Sequence, residues 1–340
     1  MSALQISLAV AGGVVLAAVV AHGAWTSRRN QPRQADTEPV RIEPDGNDLA
    51  LDSASDASQF PLPLPEKKLG LDPLVDVIAS ITFDSPMSGD AALAAMPVTR
   101  RVGSKPFAIE GFNEQTQAWE LPVAGERYNV MQAGVQLANR SGALNEIEYS
   151  EFVVKAQAFA DAVGGTPEFS EMRDEVARAR ELDQFASAHD AQLGVTLCAR
   201  QTAWSPGYVQ QNAARLGFVA GVIPGRMVLP ASVAGQPPLL GLSYDPQAAL
   251  SEDPALSAIR ELKLSLDVPQ VDRHEQPFVR MRLAAQQLAE TMDAWVTDDN
   301  GQALSGDAMD AIGAELETLY ETLDARDLSA GSALARRLFS

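Results

Sequence analysis

The sequence predicts an α+β protein: a single N-terminal transmembrane helix, then two units, each an antiparallel sheet with helices on one face. Three observations carry this. Strand-like runs alternate apolar and polar residues at a period of two. The links between them are too short for the crossovers that parallel strands need. Helical runs with three- and four-residue apolar spacing follow the strands rather than alternating regularly with them.

Residues 4–24 contain no Lys, Arg, Asp or Glu. As a helix they would rise about 31 Å, enough for a hydrocarbon core of about 30 Å. A cleaved signal normally carries positive charge ahead of the apolar run, and Met1-Ser2-Ala3 has no charged side chain. Arg28, Arg29 and Arg33 follow the run, which keeps that end in the cytoplasm by the positive-inside bias. The expectation is an anchor over 1–27 in the inner membrane, single-pass, with the bulk of the chain cytoplasmic. Residues 28–70 lose all periodicity and collect Pro32, Pro39, Pro44, Pro61, Pro63 and Pro65 with seven acids between Asp36 and Asp56. A disordered Pro/acidic linker is expected there, because such a segment cannot offset the entropy of ordering.

The first unit is expected over 71–188. Strand candidates are 75–83, 106–112, 117–121 and 128–137. A helix follows from about Ser150, with Phe152, Ala156, Phe159 and Val163 on one face and Gly164-Gly165 ending it. A second helix starts near Ser170. The second unit, over 189–340, repeats this order. Leu193, Val195 and Leu197 alternate with Gly194, Thr196 and Cys198. Ser205-Pro206 starts a helix, and strands are expected at 217–222, 226–230 and 238–244. The clearest strand is 261–269, with Leu262, Leu264, Leu266 and Val268 on one face and Lys263, Ser265 and Asp267 on the other. Pro277 opens a helix, Asn300-Gly301 supplies a hairpin turn, and Ser305 caps the last helix. The tail from Ala335 to Ser340 reads as a frayed end.

Composition narrows the function. With 26 basic and 45 acidic residues the net charge is −19, which argues against nucleic acid as a partner. Cys198 is the sole cysteine, and His22, His189 and His274 are the only histidines. This excludes a disulfide framework and the usual zinc and iron–sulfur ligand sets. No phosphate loop, nucleophile elbow or HExxH pattern occurs. The expectation is therefore no enzyme, no catalytic residue, no metal, no cofactor and no small-molecule substrate.

The string from Val20 to Arg29, VAHGAWTSRR, resembles the membrane-proximal anchor of the bacterial ZipA family of cell-division proteins. The C-terminal half is similar to the globular domain of that family in its order of elements, in Leu216-Gly217-Phe218, in 239–243, in Asp267-Val268-Pro269 and in Asp298-Asp299. In the first unit, Ala162-Val163-Gly164-Gly165 is similar to a helix end of the family. The resemblance implies a non-enzymatic inner-membrane adaptor in septation, holding the C-terminal tail of FtsZ on an open sheet face. The alternative is a membrane-bound scaffold of the same fold that binds another division or envelope protein.

Three features depart from the family: a short linker, an additional first unit, and the polar Lys263, Ser265 and Asp267 where the family tends to expose a Phe. If the docking surface persists, Ile223, Met227 and Leu239 line it, with Ser265 at its floor. Trp119 is the rival anchor in the first unit. For each of these the competing reading is an ordinary core or edge-strand side chain.

Overall fold

The computed structural model describes residues 32–35, 70–251 and 257–340. Residues 4–24, on which the transmembrane expectation falls, lie outside them, as does most of the linker. Among the described residues no helix is long and apolar enough to cross a membrane.

These residues form two compact units. One holds residues 70–191, 268–272 and 318–340; the other holds 32–35, 192–267 and 273–317. The sequence reading assigned everything after residue 188 to one C-terminal domain. The contacts instead return residues 318–340 to the first unit.

The first unit contains β1 (Asp76–Ser88), α1 (Gly89–Ala95), β2 (Arg101–Val102), β3 (Lys105–Asn113), β4 (Ala118–Glu120), β5 (Arg127–Gln136), β6 (Ala138–Asn139), β7 (Gly142–Ala143), α2 (Glu146–Val163), β8 (Thr166–Glu168) and α3 (Met172–His189). Its main sheet runs β2-β3-β5-β1-β8 with β4 paired to β3, all antiparallel. Helix α2 starts four residues earlier than its apolar stripe suggests. The cause is a capping box: Asn145 accepts from the backbone N–H of Ile147 and Glu148, while the Glu148 carboxylate accepts from the Asn145 N–H. Gly164 ends it at φ 70°, where a side chain would be strained. Val77, Ala79, Ile81, Phe107, Ile109, Met131, Ala133 and Val135 are buried on one sheet face. Phe107 meets Phe152 of α2 edge-on at 6.2 Å, which fixes this as the helix-covered side.

The second unit contains β9 (Gln192–Ala199), α4 (Pro206–Arg215), β10 (Val219–Ala220), β11 (Arg226–Leu229), β12 (Leu240–Ser243), α5 (Pro246–Leu250), β13 (Glu261–Asp267), α6 (Pro277–Met292) and β14 (Ala294–Thr297). Helix α7 (Gly306–Asp324) begins here, with Ser305 Oγ accepting from the N–H of Ala308, and ends in the first unit. The sheet order is β10-β11-β12-β13-β9-β14, again antiparallel throughout. Met281, Ala284, Ala285, Leu288 and Met292 of α6 bury against β9, β13 and β14.

The two sheets follow one connection. In each, the first strand (β1, β9) sits between the penultimate strand (β5, β13) and the last (β8, β14), and a long helix precedes that last strand. The repetition expected from the pattern of elements is thus present in the topology.

The tail is not frayed. Ser332 caps α8 (Ala333–Leu338) through the N–H of Ala335, and Leu338 and Phe339 are wholly buried in the first unit. A ring buried that completely contributes about 3–5 kcal/mol relative to Ala. Phe339→Ala should therefore lower the urea unfolding free energy of the first unit by about that amount; a change near zero would mean the tail is loose.

Candidate functional site

The site follows from strand alternation. In β13, Leu262, Leu264 and Leu266 are buried, whereas Glu261, Lys263 and Ser265 are exposed. Pairing carries this alternation across the sheet. Leu264 faces Val195 on one side and Leu242 on the other, and Leu242 faces Met227. That row is the core. The next row reads Val219, Val228, Gly241, Ser265, Gly194, and the one after it Arg226, Ser243, Lys263, Thr196, Thr297. Beyond it lie Glu261, Cys198 and Trp295. These three rows belong to the face opposite the helices.

The middle of this open face is nearly bare backbone. A Cβ at Gly241 would lie 2.6 Å from Ser265 Oγ, and one at Gly194 would lie 2.8 Å from Lys263 Cε. Each glycine thus gives room to a neighbouring side chain: the Ser265 hydroxyl leans over Gly241, and the Lys263 stem lies over Gly194. Gly241-Ser265-Gly194 is a shallow trough across three strands, with a flexible lysine over its Gly194 end. Half-exposed Val219 and Ile223 lie at its β10–β11 end, and half-exposed Trp295 lies on the β14 edge, stacked under the Arg200 guanidinium at 3.9 Å. Lys263 pairs with Asp299 at 2.9 Å; both are exposed, so the pair adds little stability. A cleft of about 490 Å³ opens beside it, lined by Thr196, Ser243, Pro246, Ile259, Glu261 and Lys263 among others.

Of the residues expected at the docking surface, Ser265 lies on the open face and Ile223 is exposed in the β10–β11 loop. Met227 and Leu239 do not line it. They are 4% and 1% exposed, because Met227 shares the core row with Leu242 and Leu264. The sequence reading missed Gly194, Gly241, Val219, Val228 and Trp295. The two glycines inside otherwise regular strands were the available signal.

The first unit treats its corresponding face differently. Here the middle row is Ile78, Gly134, Ala108. The hole at Gly134 is filled: a Cβ there would lie 2.5 Å from Leu71 Cδ2. The Leu71 N–H donates to both carboxylate oxygens of Glu110 at 3.1 Å, and Gln132 Nε2 donates to the same carboxylate. The C-terminal helix completes the cover. Arg337 pairs with the buried Asp76 and donates to the Gly70 carbonyl, and the Arg337 carbonyl accepts from Gln136 Nε2. Among the described residues the far end of this face is open, where Trp119 is 39% exposed and meets Phe112 edge-on at 5.4 Å.

Burial raises the Asp76 carboxyl above the ordinary carboxylate range, and the charge and hydrogen bond of Arg337 pull it part of the way down. Folding therefore holds this proton to a higher pH than the unfolded chain does. The contribution of Asp76 to stability is most favourable at low pH and falls as pH rises through the folded value. Arg337→Met should raise that value further. The expected loss is about 2–3 kcal/mol at pH 7, where the carboxylate is left buried without its cation. The loss should shrink as the pH is lowered and Asp76 takes up its proton; equal losses in urea titrations at neutral and acidic pH would refute this account.

Among the described residues no group of three His, Cys, Asp or Glu side chains is placed to hold a metal ion. His189 and Asp190, adjacent in sequence, have structural partners: His189 Nδ1 contacts the Phe185 carbonyl, and Asp190 accepts two hydrogen bonds from Arg140.

Residues 253–315 match the family described as ZipA, C-terminal FtsZ-binding domain. The matched segment contains β13, α6 and β14 and thus falls mainly in the second unit. No curated protein matches the chain.

Proposed function

We propose, from the match of residues 253–315 to the ZipA C-terminal FtsZ-binding domain, that the second unit binds the C-terminal tail of FtsZ on its open sheet face in bacterial cell division. The observation that carries the reading is the Gly241-Ser265-Gly194 row: a stretch of sheet with little side chain of its own between apolar ends, on the face opposite the helices. An extended or amphipathic peptide can lay its apolar side chains there once the exposed Lys263 side chain swings off Gly194, a small cost because its pair with Asp299 is solvent-exposed and weak.

The first unit shows the same kind of docking within its own fold. Leu71 fills the glycine hole while its backbone N–H is held by Glu110. With that position occupied, the first unit serves as a structural copy of the domain rather than as the main docking site. The protein is then an adaptor without catalysis, tethering FtsZ to the inner membrane through residues 4–24, with its bulk in the cytoplasm. Trp295 and Val228 replace Met227 and Leu239 as the residues expected at the surface.

A fluorescence anisotropy titration of a labelled FtsZ tail peptide against the full chain tests this. Saturable binding is expected. Ser265→Arg, which fills the trough, should weaken it about tenfold or more, a loss of at least about 1.4 kcal/mol. Trp119→Ala should leave it unchanged. Absence of saturable binding, or equal affinity for Ser265→Arg, would overturn the assignment.

A further inference from the structure

Residues 32–35 lie just after the apolar run, yet they pack on the second unit, far along the chain. The Arg33 N–H donates to the Ala203 carbonyl at 2.7 Å, and the Arg33 carbonyl accepts from the Ser205 N–H at 2.9 Å. Together they make a parallel bridge to Trp204, which itself bridges Ile259 on its other side. Trp204 is wholly buried, and its indole N–H donates to the Met292 carbonyl. The short segment therefore joins a rigid corner of the unit. Its side chains agree with the backbone: Arg33 lies 3.7 Å from the Asp293 carboxylate, which Arg200 also approaches. Ala35 Cβ lies 3.8 Å from where a side chain at Gly207 would begin.

We propose that residues 32–35 are a juxtamembrane clamp that holds the second unit directly beneath the bilayer. The proposal rests on the reading of residues 4–24 as a membrane span. Only residues 25–31 separate that run from Pro32, and a chain of that length reaches no more than about 30 Å when fully extended. The second unit is then tethered by these residues, upstream of the long acidic segment. The clamp also sets orientation. Asp293 precedes β14, and Arg200 reaches from Asp293 to the Trp295 ring. The β14 edge of the open face is thus the edge nearest the membrane.

The full chain reconstituted in phosphatidylglycerol/phosphatidylcholine vesicles, with Cys198→Ser as background, tests this. The pair Ala35→Cys and Gly207→Cys has a Cβ separation within the range of a disulfide. Under mild oxidation it should form an internal crosslink, seen as a mobility shift that reductant reverses. A control pair of Ala35→Cys with Val233→Cys should not. In a second arm, a donor dye on Val222→Cys should transfer energy to headgroup-labelled lipid. Arg33→Pro, which removes the N–H that Ala203 accepts, should cause loss of that transfer while the protein still sediments with the vesicles. Absence of the crosslink in inserted protein, or transfer unchanged by Arg33→Pro, overturns the clamp. Protein that fails to sediment with vesicles while still forming the crosslink overturns the membrane reading, and with it the proposed placement, but leaves the docking of residues 32–35 intact.

Discussion

The pairing of β9 with β13 is the constraint on which the second unit depends. Leu262 faces Leu197 and Leu264 faces Val195, so both central strands commit the same alternation to the same side. A slip of one residue would turn every leucine toward solvent and bury Lys263 and Glu261 instead. Register is therefore strongly specified by the core. The open face inherits its composition from that choice: whatever occupies the alternate positions is presented outward, and here those positions are Gly194, Thr196, Ser265 and Gly241.

One connection used twice gives two faces with different fates. The row Ile78, Gly134, Ala108 in the first sheet occupies the same strands, by connection, as Gly194, Ser265, Gly241 in the second. In the first unit a single glycine makes a socket, and the chain's own Leu71 fills it, fixed by Glu110 and by the Arg337–Asp76 pair. In the second unit two glycines flank a serine and make a longer trough. Burying polar groups as the first unit does is costly unless each is satisfied. Asp76, Glu110, Gln132 and Gln136 all are. A network of that completeness specifies one arrangement, which suits a permanent cover better than an exchangeable ligand.

Much of this was legible in the sequence. The alternating run 261–267, the α6 stripe and the capping serines at 205 and 305 each state their structure locally, because period and cap chemistry do not depend on distant partners. What was not legible required long-range contacts. Met227 and Leu239 look like surface candidates only until the register with Leu242 and Leu264 is known. The tail around Phe339 has a short apolar stretch with no periodicity, and its burial depends on residues early in the chain. The start of α2 is not marked by its apolar stripe, because the capping box of Asn145 and Glu148 lies ahead of it. Trp295 fell within a run read for its turn, so its outward direction emerged only from its pairing with Cys198.

The departure from the expected aromatic on β13 now has a physical reading. A sheet face with a protruding ring offers apolar area to a peptide; a face with little side chain at its centre would, on the proposed reading, admit the peptide's own side chains close to the strands. Both remove apolar surface from water, but the contributor differs. Here the side chains that supply area are at the ends, Val219 and Val228 on one side and Trp295 on the other, and the centre supplies depth. A partner matched to this face would place a small or narrow residue over Ser265 and larger apolar ones toward β10 and β14. The Lys263–Asp299 pair, exposed and weak, lies over the Gly194 end of that path, so a partner reaching Gly194 displaces a lysine stem at little cost.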